Sequence, residues 1–543
     1  MFTGMTLTLL LSLAQSPIVR FWQKVTDTTF KGVYHANTFD VAMMIPYFLV
    51  LIVLAVYGIH RYWLVYNYYK FRDNVPGPPP PVAAWPKVTI QLPIYNERYV
   101  VERLVEAVSQ FDYPRELLDV QVLDDSTDET REIARNCVER FRALGLNISY
   151  LHRNHREGFK AGALAEGLRS AQGEFIAIFD ADFLPSPDFL RRTIPGFQDP
   201  GVAMVQTRWT YLNRGYSLLT EVEGILLDGH FVIEHGARSR SGVFFNFNGT
   251  AGVWRRSAIE DAGGWQHDTL TEDTDLSYRA QLRGWRFLYL QQVECASELP
   301  VEMNAFKAQQ ARWAKGLMQT AKKILPRLLR ADVPGPVKAE AFFHLTANIS
   351  YPLMIVFSTM LLPAMIVRSY QGWFQMLVID LPLFLASTCS ISSFYLAAQR
   401  SVRPKTWWRT FLFLPFVMAI GIGISVRNAK AVLEAIFGVQ SEFARTPKFR
   451  IETKADTFVK KGYRNRAGWI AYVEVALGLY FAATVFYAIR NENYATVPFL
   501  LLFVWGYLYT GFMSLGQTFL ERLRFGVTRA PEVRPAATGA PGF

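Results

Sequence analysis

Long apolar runs interrupted by one long polar stretch constrain the fold of this chain most strongly. Each run has about 18–22 residues, enough to cross the roughly 30 Å core of a bilayer as a helix. The predicted spans are Val41–Ile59, Ala347–Val367, Leu381–Ala398, Gly468–Ile489 and Ala495–Leu515. Because 51% of the residues are apolar and only 19% are charged, a disordered protein is excluded and a purely soluble enzyme is nearly so.

A sixth apolar window, Phe411–Val426, is predicted to lie along the cytoplasmic face of the membrane or to dip into it. The loops 400–409 and 427–466 on either side are both rich in lysine and arginine, which favours the cytoplasmic side for both. A single crossing would place one loop outside, and Pro415 and two glycines make this window a poor span. Five spans then leave the N-terminus outside and the polar stretch inside.

The polar stretch 88–330 is predicted to be one soluble domain inserted between spans. A stiff proline-rich linker, Pro76–Pro81, precedes it, and Pro334–Pro336 follows it. Residues 5–14 lack a basic segment and are predicted to lie at the interface rather than to form a cleaved signal peptide. The predicted units are 1–75 with the span 41–59, the soluble domain 85–330, two spans in 340–400, an interface helix and basic loop in 405–466, two spans in 468–516, and a cytosolic tail 517–543.

Strand and helix patterns alternate through the first part of the soluble domain. The predicted strands are Val88–Leu92, Val120–Leu123, Ile148–His152 and Phe175–Phe179, and the predicted helices are Val100–Ser109, one from about Asp128, and one near Ala161–Ser170. This alternation predicts a parallel, doubly wound α/β sheet. Since such sheets bind ligands beyond the carboxyl ends of their strands, the motifs at those ends are the candidates for a functional site.

Acidic pairs follow two of these strands. Asp124 and Asp125 come after the second strand, and Asp180 and Asp182 follow the fourth. Side chains two residues apart on an extended strand end point the same way, so Asp180 and Asp182 can hold one divalent cation. A metal between carboxylates and a diphosphate would offset the charge of a leaving group. Strand-end aspartates also cap turns and helices, and we expect that simpler role for Asp128.

The familiar nucleotide-binding signatures are missing from the sequence. No GxGxxG follows the first strand and no GxxxxGK[ST] occurs, so dehydrogenase and P-loop NTPase functions lose support. The turn after the first strand carries Tyr95 and Glu97 instead. Lys160, in a basic run that contains glycine, can meet a phosphate at a helix N-terminus, although it could equally be a surface lysine. Three widely separated cysteines argue against a disulfide scaffold and a cysteine zinc site.

Further chemistry-bearing residues lie in the second half of the domain. Asp273 ends a Thr-Glu-Asp motif, and such an aspartate can remove the proton of an attacking sugar hydroxyl. Gln309, Arg312 and Trp313 form a QxxRW motif, in which a planar arginine suits a diphosphate and an indole suits a pyranose face. Taken singly, Asp273 could be a surface carboxylate and Trp313 a membrane-interface anchor.

Together, the runs VLDD, DAD, TED and QxxRW in this order make the chain similar to the membrane-embedded, processive glycosyltransferases of family 2, the group of cellulose, hyaluronan and chitin synthases. Within that group QLPIYNER, GFKAGAL, FNFNGTAGVWR and QQARW most resemble the plant cellulose synthase-like A enzymes, which make β-1,4-mannan and glucomannan. The resemblance implies an α/β GT-A-type (Rossmann-like) cytosolic domain inserted in an α-helical transmembrane region.

The resemblance also implies a role for each motif. The nucleotide-binding residues are expected to be Tyr95, Glu97, Asp124, Asp125 and Lys160, and the Mg²⁺ or Mn²⁺ ligands Asp180 and Asp182. Asp273 is the expected general base, with Gln309 and Arg312 on the diphosphate and Trp313, Asn248, Gly249 and Thr250 on the acceptor. Residues 443–448 resemble an FxVTxK gating loop, in which Thr446 and Lys448 keep their places and Arg445 replaces valine.

The expected reaction is a single in-line displacement, in which an acceptor hydroxyl attacks the anomeric carbon of a nucleotide-diphospho-sugar with inversion to a β-linkage. The donor could be GDP-mannose, GDP-glucose or UDP-glucose, and the growing polysaccharide would leave through the membrane helices, with Glu474 facing its path or snorkelling to the interface. The alternative is transfer of a single sugar to a membrane lipid, as in ceramide glucosyltransferases.

Two other function classes fit the sequence less well. A transporter with a regulatory nucleotide-binding domain would leave the acidic motifs unexplained. The net charge of +11 could suit nucleic acid, but the basic residues concentrate in predicted cytoplasmic loops, where anionic lipid explains them. We therefore expect a lipid bilayer and no nucleic acid among the partners, in a multi-pass protein of a bacterial inner membrane or a Golgi membrane.

Overall fold

The structure, a computed structural model, describes residues 38–77, 82–368, 381–440, 445–458, 461 and 468–525. The predicted interfacial segment 5–14, the prolines 78–81 and most of the predicted tail 517–543 lie outside the described residues.

A mixed α/β domain follows the first long helix. Its helices and strands in chain order, after α1 (Thr38–Lys70), are β1 (Val88–Ile94), α2 (Val101–Ser109), β2 (Leu118–Asp124), α3 (Thr130–Ala143), β3 (Ile148–His152), α4 (Phe159–Ser170), β4 (Phe175–Ile178), β5 (Phe183–Pro185), α5 (Phe189–Thr193), β6 (Val202–Tyr211), α6 (Leu218–Asp228), α7 (His235–Ser241), β7 (Gly252–Arg255), α8 (Arg256–Asp261), α9 (Glu272–Leu282), β8 (Arg286–Ser297) and α10 (Met303–Arg330). A π-helical segment, Gly229–Glu234, joins α6 to α7.

The strands form an eight-stranded sheet in the order β3-β2-β1-β4-β7-β6-β8-β5. The first four are parallel, with Ile90 opposite Val120 on one side and opposite Ala177 on the other, which confirms the predicted strands and their pairing mode. Beyond β4 the sheet is mixed and departs from the predicted parallel arrangement, because β7 runs antiparallel to both β4 and β6 and β5 runs antiparallel to β8, whereas β6 and β8 are parallel. Asp128 accepts a hydrogen bond from the backbone of Thr130 at 3.0 Å, but the N-cap of α3 is Glu129, so Asp128 closes the turn before the helix instead of occupying its cap position.

Helices cover both faces of this sheet, and its central strands β1 and β2 are buried on both faces, one apolar and the other carrying hydrogen-bonded polar side chains such as Gln91 and Gln121. Side chains of β1 and β2 pack with α2 and α3 in one buried cluster. On the opposite face, Ile176 and Ile178 of β4 pack with α4 and with Trp254 of β7 in a second cluster. Burial on both faces fixes the register of the strands, and with it the positions at which their carboxyl ends meet.

The remaining helices are mostly long and apolar. They are α11 (Gly335–Thr346), α12 (Ser350–Arg368), α13 (Leu381–Phe384), α14 (Ser390–Val402), α15 (Thr410–Gly423), α16 (Ser425–Ile436), α17 (Ile470–Arg490) and α18 (Val497–Phe525), with a π-helical segment Leu385–Cys389 between α13 and α14.

Four stretches of helix among the described residues are long and apolar enough to cross a membrane: Thr38–Lys70, Gly335–Val367, Ile470–Arg490 and Tyr494–Phe519. They coincide with four of the five predicted spans. The fifth, Leu381–Ala398, is helical but is not among these candidates, so it stays a prediction.

The sixth apolar window lies in a pair of helices, Trp407–Gly423 and Ser425–Ile436, that are bent by 44° and would make a fifth span if they crossed together. The first of the pair packs closely on α18, since a Cβ on Gly506 would lie 2.2 Å from the carbonyl oxygen of Ala419. The predicted interface position of this window stays a prediction.

One buried ion pair ties the α/β domain to the long helices. Lys307 of α10 donates to Glu474 of α17 at 2.6 Å and to the Ser514 hydroxyl of α18 at 3.1 Å. Glu474 is fully buried, so it does not snorkel to an interface. Because α10 also carries the QxxRW motif, this pair fixes the motif relative to the candidate membrane helices.

Candidate active site

A cavity beyond the carboxyl ends of β1, β2 and β4 brings most of the predicted site residues together. Those that line it are Tyr95, Glu97, Asp125, Lys160, Asp180, Asp182, Asn248, Gly249, Asp273, Gln309, Arg312, Trp313, Thr446 and Lys448. These residues are far apart in the sequence, from Tyr95 to Lys448. The expectation that ligands meet this edge of the sheet therefore locates the cavity correctly.

Asp124 and Thr250 are not among the residues that line the cavity, and their predicted ligand contacts stay predictions. The fully buried Asp124 carboxylate accepts hydrogen bonds from the backbone of Ser126 at 2.9 Å and from the Tyr150 hydroxyl at 2.6 Å. Thr250 is equally buried, and its hydroxyl oxygen accepts from the backbone nitrogen of Asp180 at 2.8 Å. Both residues hold the cavity wall from behind. A position at the end of a strand does not by itself tell whether a side chain lines the cavity or supports its wall.

Lys160 neutralises the first aspartate of the DAD motif. Its ammonium group donates to Asp180 at 2.5 Å and to the carbonyl oxygen of Gly249 at 2.9 Å. Burial alone would lower the pKa of Lys160, but the Asp180 carboxylate beside it raises the pKa above its ordinary value. Lys160 stands in the first turn of α4, after Gly158 in the left-handed region (φ 68°) has turned the chain into the helix.

Lys448 does the same for the second aspartate. Its ammonium group lies 2.7 Å from an Asp182 oxygen and donates to the carbonyl oxygen of Glu298 at 2.6 Å. The backbone nitrogen of Phe449 donates to the Glu298 carboxylate at 2.8 Å, so the loop that carries Lys448 is held against the end of β8. The described part of the gating-like loop thus closes one side of the cavity, while Phe443 and Ala444 lie outside the described residues.

Asp180 and Asp182 fit a divalent cation that also binds phosphate oxygens. Mg²⁺ and similar ions are commonly held by one or two carboxylates, with the substrate phosphates completing their coordination. Within the described residues no group of three or more histidine, cysteine or acidic side chains could hold a metal by itself. Two carboxylates would leave the remaining positions around such an ion to other oxygens, and in this structure Lys160 and Lys448 balance the two carboxylates.

Arginines shape the end of the cavity at β1 and β2. Arg153 forms a double hydrogen bond with the Asp125 carboxylate, at 2.8 and 2.5 Å. The Arg156 guanidinium stacks on the Tyr95 ring with 3.4 Å between its central carbon and the ring centroid. Both Arg156 and Tyr95 line the cavity, so their stacked faces form an edge suited to a planar or anionic ligand.

Glu97 faces the gating-like loop across the cavity. One of its oxygens lies 4.0 Å from Nε of Arg445, the residue that replaces valine in the loop motif. Burial raises the pKa of Glu97 to about 7, although Arg445 acts in the opposite direction. The substitution therefore gives the loop an electrostatic contact with the turn after β1.

Asp273 lies in the first turn of α9, against the glycine-rich stretch. One of its oxygens accepts from the backbone of Thr274 at 2.7 Å. Gly249 is in the left-handed region (φ 79°), and a Cβ there would lie 3.1 Å from the other Asp273 oxygen. Burial, and then the neighbouring Glu272 carboxylate, raise the pKa of Asp273 to about 7. A carboxylate with such a pKa can accept a proton near neutral pH.

The QxxRW motif lies near the start of α10. Gln309, Arg312 and Trp313 all line the cavity, and within the described residues the Gln309 carbonyl oxygen is buried without a hydrogen-bond partner. Burial lowers the pKa of Arg312, while the acidic groups Glu272, Asp180, Asp273 and Asp182 act against that shift. The motif thus brings a cation and a hydrogen-bonding amide to the same acidic cluster.

The sequence analysis gave no role to several other lining residues, including Arg156, Glu223 and Glu298. Arg156 belongs to the basic run in which only Lys160 was given a predicted role. Glu223 lies in α6, where the sequence reads as an ordinary helix and gives no signal. Glu298 directly follows β8, a strand that the sequence analysis did not predict.

Sequence comparisons show which known proteins this chain is similar to. Residues 86–316 match the family model described as "Glycosyltransferase like family 2". The chain is 40% identical over 291 residues to glucomannan 4-beta-mannosyltransferase 7 of Arabidopsis thaliana, covering 52% of each protein. It is 46% identical over 265 residues to glucomannan 4-beta-mannosyltransferase 1 of Oryza sativa subsp. japonica, covering 48% of this chain and 51% of the rice protein. The chain spans about half the length of the curated relatives it matches.

Solved structures with some likeness include the mannosyltransferase PcManGT of Pyrobaculum calidifontis in complex with GDP-Man and Mn²⁺. The identity is 23%, the TM-score is 0.48, and the match covers 66% of this chain and 99% of that one. TarS of S. aureus gives 16% identity and a TM-score of 0.33, with 65% of this chain and 54% of TarS covered.

The acidic strand ends, Asp273 of α9 and the QxxRW motif, all within residues 86–316, line one cavity. Residues 86–316, which contain these motifs, are therefore similar to the family 2 glycosyltransferases.

Proposed function

We propose that this protein is an inverting, processive β-hexosyltransferase that polymerises hexose from a nucleotide-diphospho-sugar and exports the polymer through its own membrane helices. The observation that carries the proposal is that Asp180, Asp182 and Asp273 line one cavity together with the QxxRW motif. A donor and an acceptor must meet in one place for group transfer, and this cavity has groups suited to each.

The donor side of the cavity is assigned to the strand ends. The edge formed by Tyr95, Asp125 and Arg156 would take the nucleotide, and Glu97 would contact it from the turn. Asp180 and Asp182 would hold Mg²⁺ or Mn²⁺, and the cation would offset the charge of the departing diphosphate when bound. Lys160 and Arg312 interact with the acidic pair, Gln309 lines the same cavity, and all three would bind diphosphate oxygens.

The acceptor side of the cavity is assigned to α9 and α10. Trp313 would stack on the acceptor sugar, with Asn248 and Gly249 beside it. Asp273 would take the proton of the acceptor hydroxyl while that oxygen forms a bond to the anomeric carbon and the bond to the diphosphate breaks. A single displacement of this kind inverts the anomeric centre and needs no carboxylate nucleophile, unlike a retaining glycosidase.

A mannosyl donor is the first candidate. Each of the curated relatives named above is a glucomannan 4-beta-mannosyltransferase, and each matches about half of this chain. GDP-mannose is therefore proposed as the donor, with GDP-glucose and UDP-glucose as the comparisons that a binding assay must include. The product would be a β-mannan or a glucomannan.

The position of the cavity supports release of the product through the membrane helices. A second cavity, lined by residues of α10, α16 and α17, shares Leu270 and Arg312 with the first. Trp469, just before α17, lines this second cavity and offers an aromatic face at its end. The four or five candidate spans favour a multi-pass membrane protein, with the active site next to the bilayer.

The test is product synthesis by the purified full chain in lipid nanodiscs with Mn²⁺. Release of nucleoside diphosphate is measured with each of the three donors, and the products are digested with β-mannanase or β-glucanase. We expect release with GDP-mannose and long, β-mannanase-sensitive chains. Release that requires an added ceramide or another lipid, with one sugar on each lipid, would instead support the single-transfer alternative.

A further inference from the structure

Glu223 is a buried acid that the proposed mechanism does not use. It lies in α6, is 1% exposed and lines the catalytic cavity. Within the described residues, neither of its carboxylate oxygens has a hydrogen-bond partner. A carboxyl group buried without partners costs free energy, so its retention at a cavity wall calls for a ligand that pairs with it.

A second unsatisfied polar group lines the same cavity. Trp209, at the end of β6, has its indole N–H buried without a partner within the described part of the chain. Its ring is held by Phe183 and Phe231, whose centroids lie 4.9 and 4.8 Å away. A ring fixed in this way presents its N–H in one direction, as a binding site requires.

The surroundings of Glu223 indicate the chemistry of the missing partner. Burial raises the pKa of Glu223 to about 8, while the Lys448 ammonium acts in the opposite direction without a hydrogen bond to it. The neutral acid both donates and accepts hydrogen bonds, and the Trp209 indole only donates. A cation would be repelled by Lys448, and a phosphate, which is an acceptor, would not use the carboxyl oxygens. A ligand with neighbouring hydroxyl groups would supply hydrogen-bond partners both to the Glu223 carboxyl group and to the Trp209 indole N–H.

We propose that Glu223 and Trp209 form a hydroxyl-binding subsite that holds a pyranose ring of the donor or of the acceptor and contributes to the choice of sugar. The inference rests on the proposed function and extends it to a wall of the cavity that no motif marks. A site that binds a hydroxyl by hydrogen bonds rejects a sugar with that hydroxyl misplaced, because its own buried groups are then left unpaired.

The test compares two variants of Glu223 in the full chain. Glu223→Gln keeps a neutral hydrogen-bond donor and acceptor. Glu223→Leu removes both, and it also removes the free-energy cost of burying an unpaired carboxyl group. Affinities are measured for GDP-mannose, for GDP alone and for a manno-oligosaccharide, which needs no turnover. We expect Glu223→Leu to fold with unchanged or higher thermal stability and to weaken binding of one sugar ligand about tenfold. GDP should bind as before, and Glu223→Gln should stay within about threefold of the wild type.

The ligand whose affinity falls shows whether the subsite holds the donor sugar or the acceptor sugar. Loss for GDP-mannose but not GDP assigns the subsite to the donor hexose, and loss for the oligosaccharide assigns it to the acceptor. Trp209→Phe, which keeps an aromatic ring without the N–H, should weaken the same ligand severalfold. Glu166→Leu, on the outer face of α4 in an exposed pair with Arg169, is the matched control.

Two results would overturn the subsite. One is sugar affinity unchanged in Glu223→Leu, which would make Glu223 a structural acid. The other is a loss in Glu223→Gln as large as in Glu223→Leu, which would make its negative charge the functional property. Failure of the proposed function is recognised separately, because the wild-type protein would then transfer no hexose from any of the three donors.

Discussion

The Lys448 ammonium group lies 2.7 Å from the Asp182 carboxylate, although 266 residues separate the two in the chain. The pair places a cation of the gating-like loop against the second aspartate of the DAD motif. A divalent ion bound to Asp182 would repel this ammonium group, so donor binding and the position of the loop are linked.

Replacing Lys448 separates its effect on cation binding at Asp182 from its effect on use of the donor. Lys448→Ala removes the ammonium group that competes for Asp182, so Mn²⁺ should bind about tenfold more tightly in the absence of a donor. The same change removes a cation near the diphosphate, so kcat/KM for the donor should fall about tenfold or more. Mn²⁺ binding is followed by electron paramagnetic resonance. Lys87→Ala, at the opposite edge of the sheet beside Gln172, should change neither value. Unchanged Mn²⁺ affinity in Lys448→Ala would contradict the link.

Asp273→Asn tests the general base. The amide cannot accept the acceptor proton, so we expect turnover to fall by about 10²–10⁴-fold with donor affinity near that of the wild type. Turnover is measured by release of nucleoside diphosphate, and donor affinity by calorimetry. Normal turnover per bound donor together with weak binding would show that Asp273 serves the donor instead.

The pH dependence of transfer should follow the raised pKa of Asp273. Below about pH 7 the Asp273 carboxyl is protonated and cannot act as a base, so kcat/KM should rise with pH through about 7 and then level. The folded protein holds this proton more tightly than the unfolded chain, so Asp273 lowers stability as pH rises from about 4 to 7. Asp273→Asn should therefore raise the melting temperature more at pH 8 than at pH 5. The opposite order of melting temperatures would contradict the raised pKa.

Gly249 is expected to tolerate no side chain. A methyl group there would lie 3.1 Å from Asp273 and 3.4 Å from the Lys160 ammonium nitrogen, in a backbone conformation with φ 79° that favours glycine. Gly249→Ala should lower kcat at least tenfold by displacing Asp273, with the fold retained. Gly145→Ala, also at positive φ but with open space around it, controls for the backbone effect. Equal loss of activity in both variants would show that strain, and not contact with Asp273, is responsible.

The Lys307–Glu474 pair should stabilise the join between the α/β domain and the long helices. Replacing one partner of a buried ion pair leaves the other charge unpaired and costs about 3–5 kcal/mol. Glu474→Gln should therefore lower the melting temperature, and the double variant Lys307→Met, Glu474→Met should recover most of it. A double variant as unstable as the single one would show that the pair also has a packing role. Melting is followed by fluorescence in detergent.

The sequence predicted the first half of the sheet and most of the cavity for one physical reason. The strands from Val88 to Ile178 are apolar, separated by amphipathic helices, and joined in parallel, so their carboxyl ends must share one edge. The antiparallel strand β7 was missed because it has only four residues, Gly252–Arg255, and begins within the glycine-rich stretch. The local sequence pattern does not predict how β7 pairs, because that pairing depends on contacts with segments that are distant in the chain.

Roles that depend on side-chain orientation were harder to predict. Asp124 and Asp125 are neighbours in the same motif, yet only Asp125 lines the cavity, since alternate residues of an extended segment face opposite sides. Glu223 gave no signal because a single carboxylate in a helix is usually solvated, and only its burial distinguishes it.

The most direct test of the account is an experimental structure of the full chain with Mn²⁺ and GDP-mannose, using Asp273→Asn to hold the donor intact. The account predicts that the cation lies between the diphosphate and the Asp180 and Asp182 carboxylates, with the anomeric carbon facing residue 273 and the Trp313 ring beside the acceptor position. A nucleotide bound away from the DAD motif, or a hexose directed away from residue 273, would contradict it.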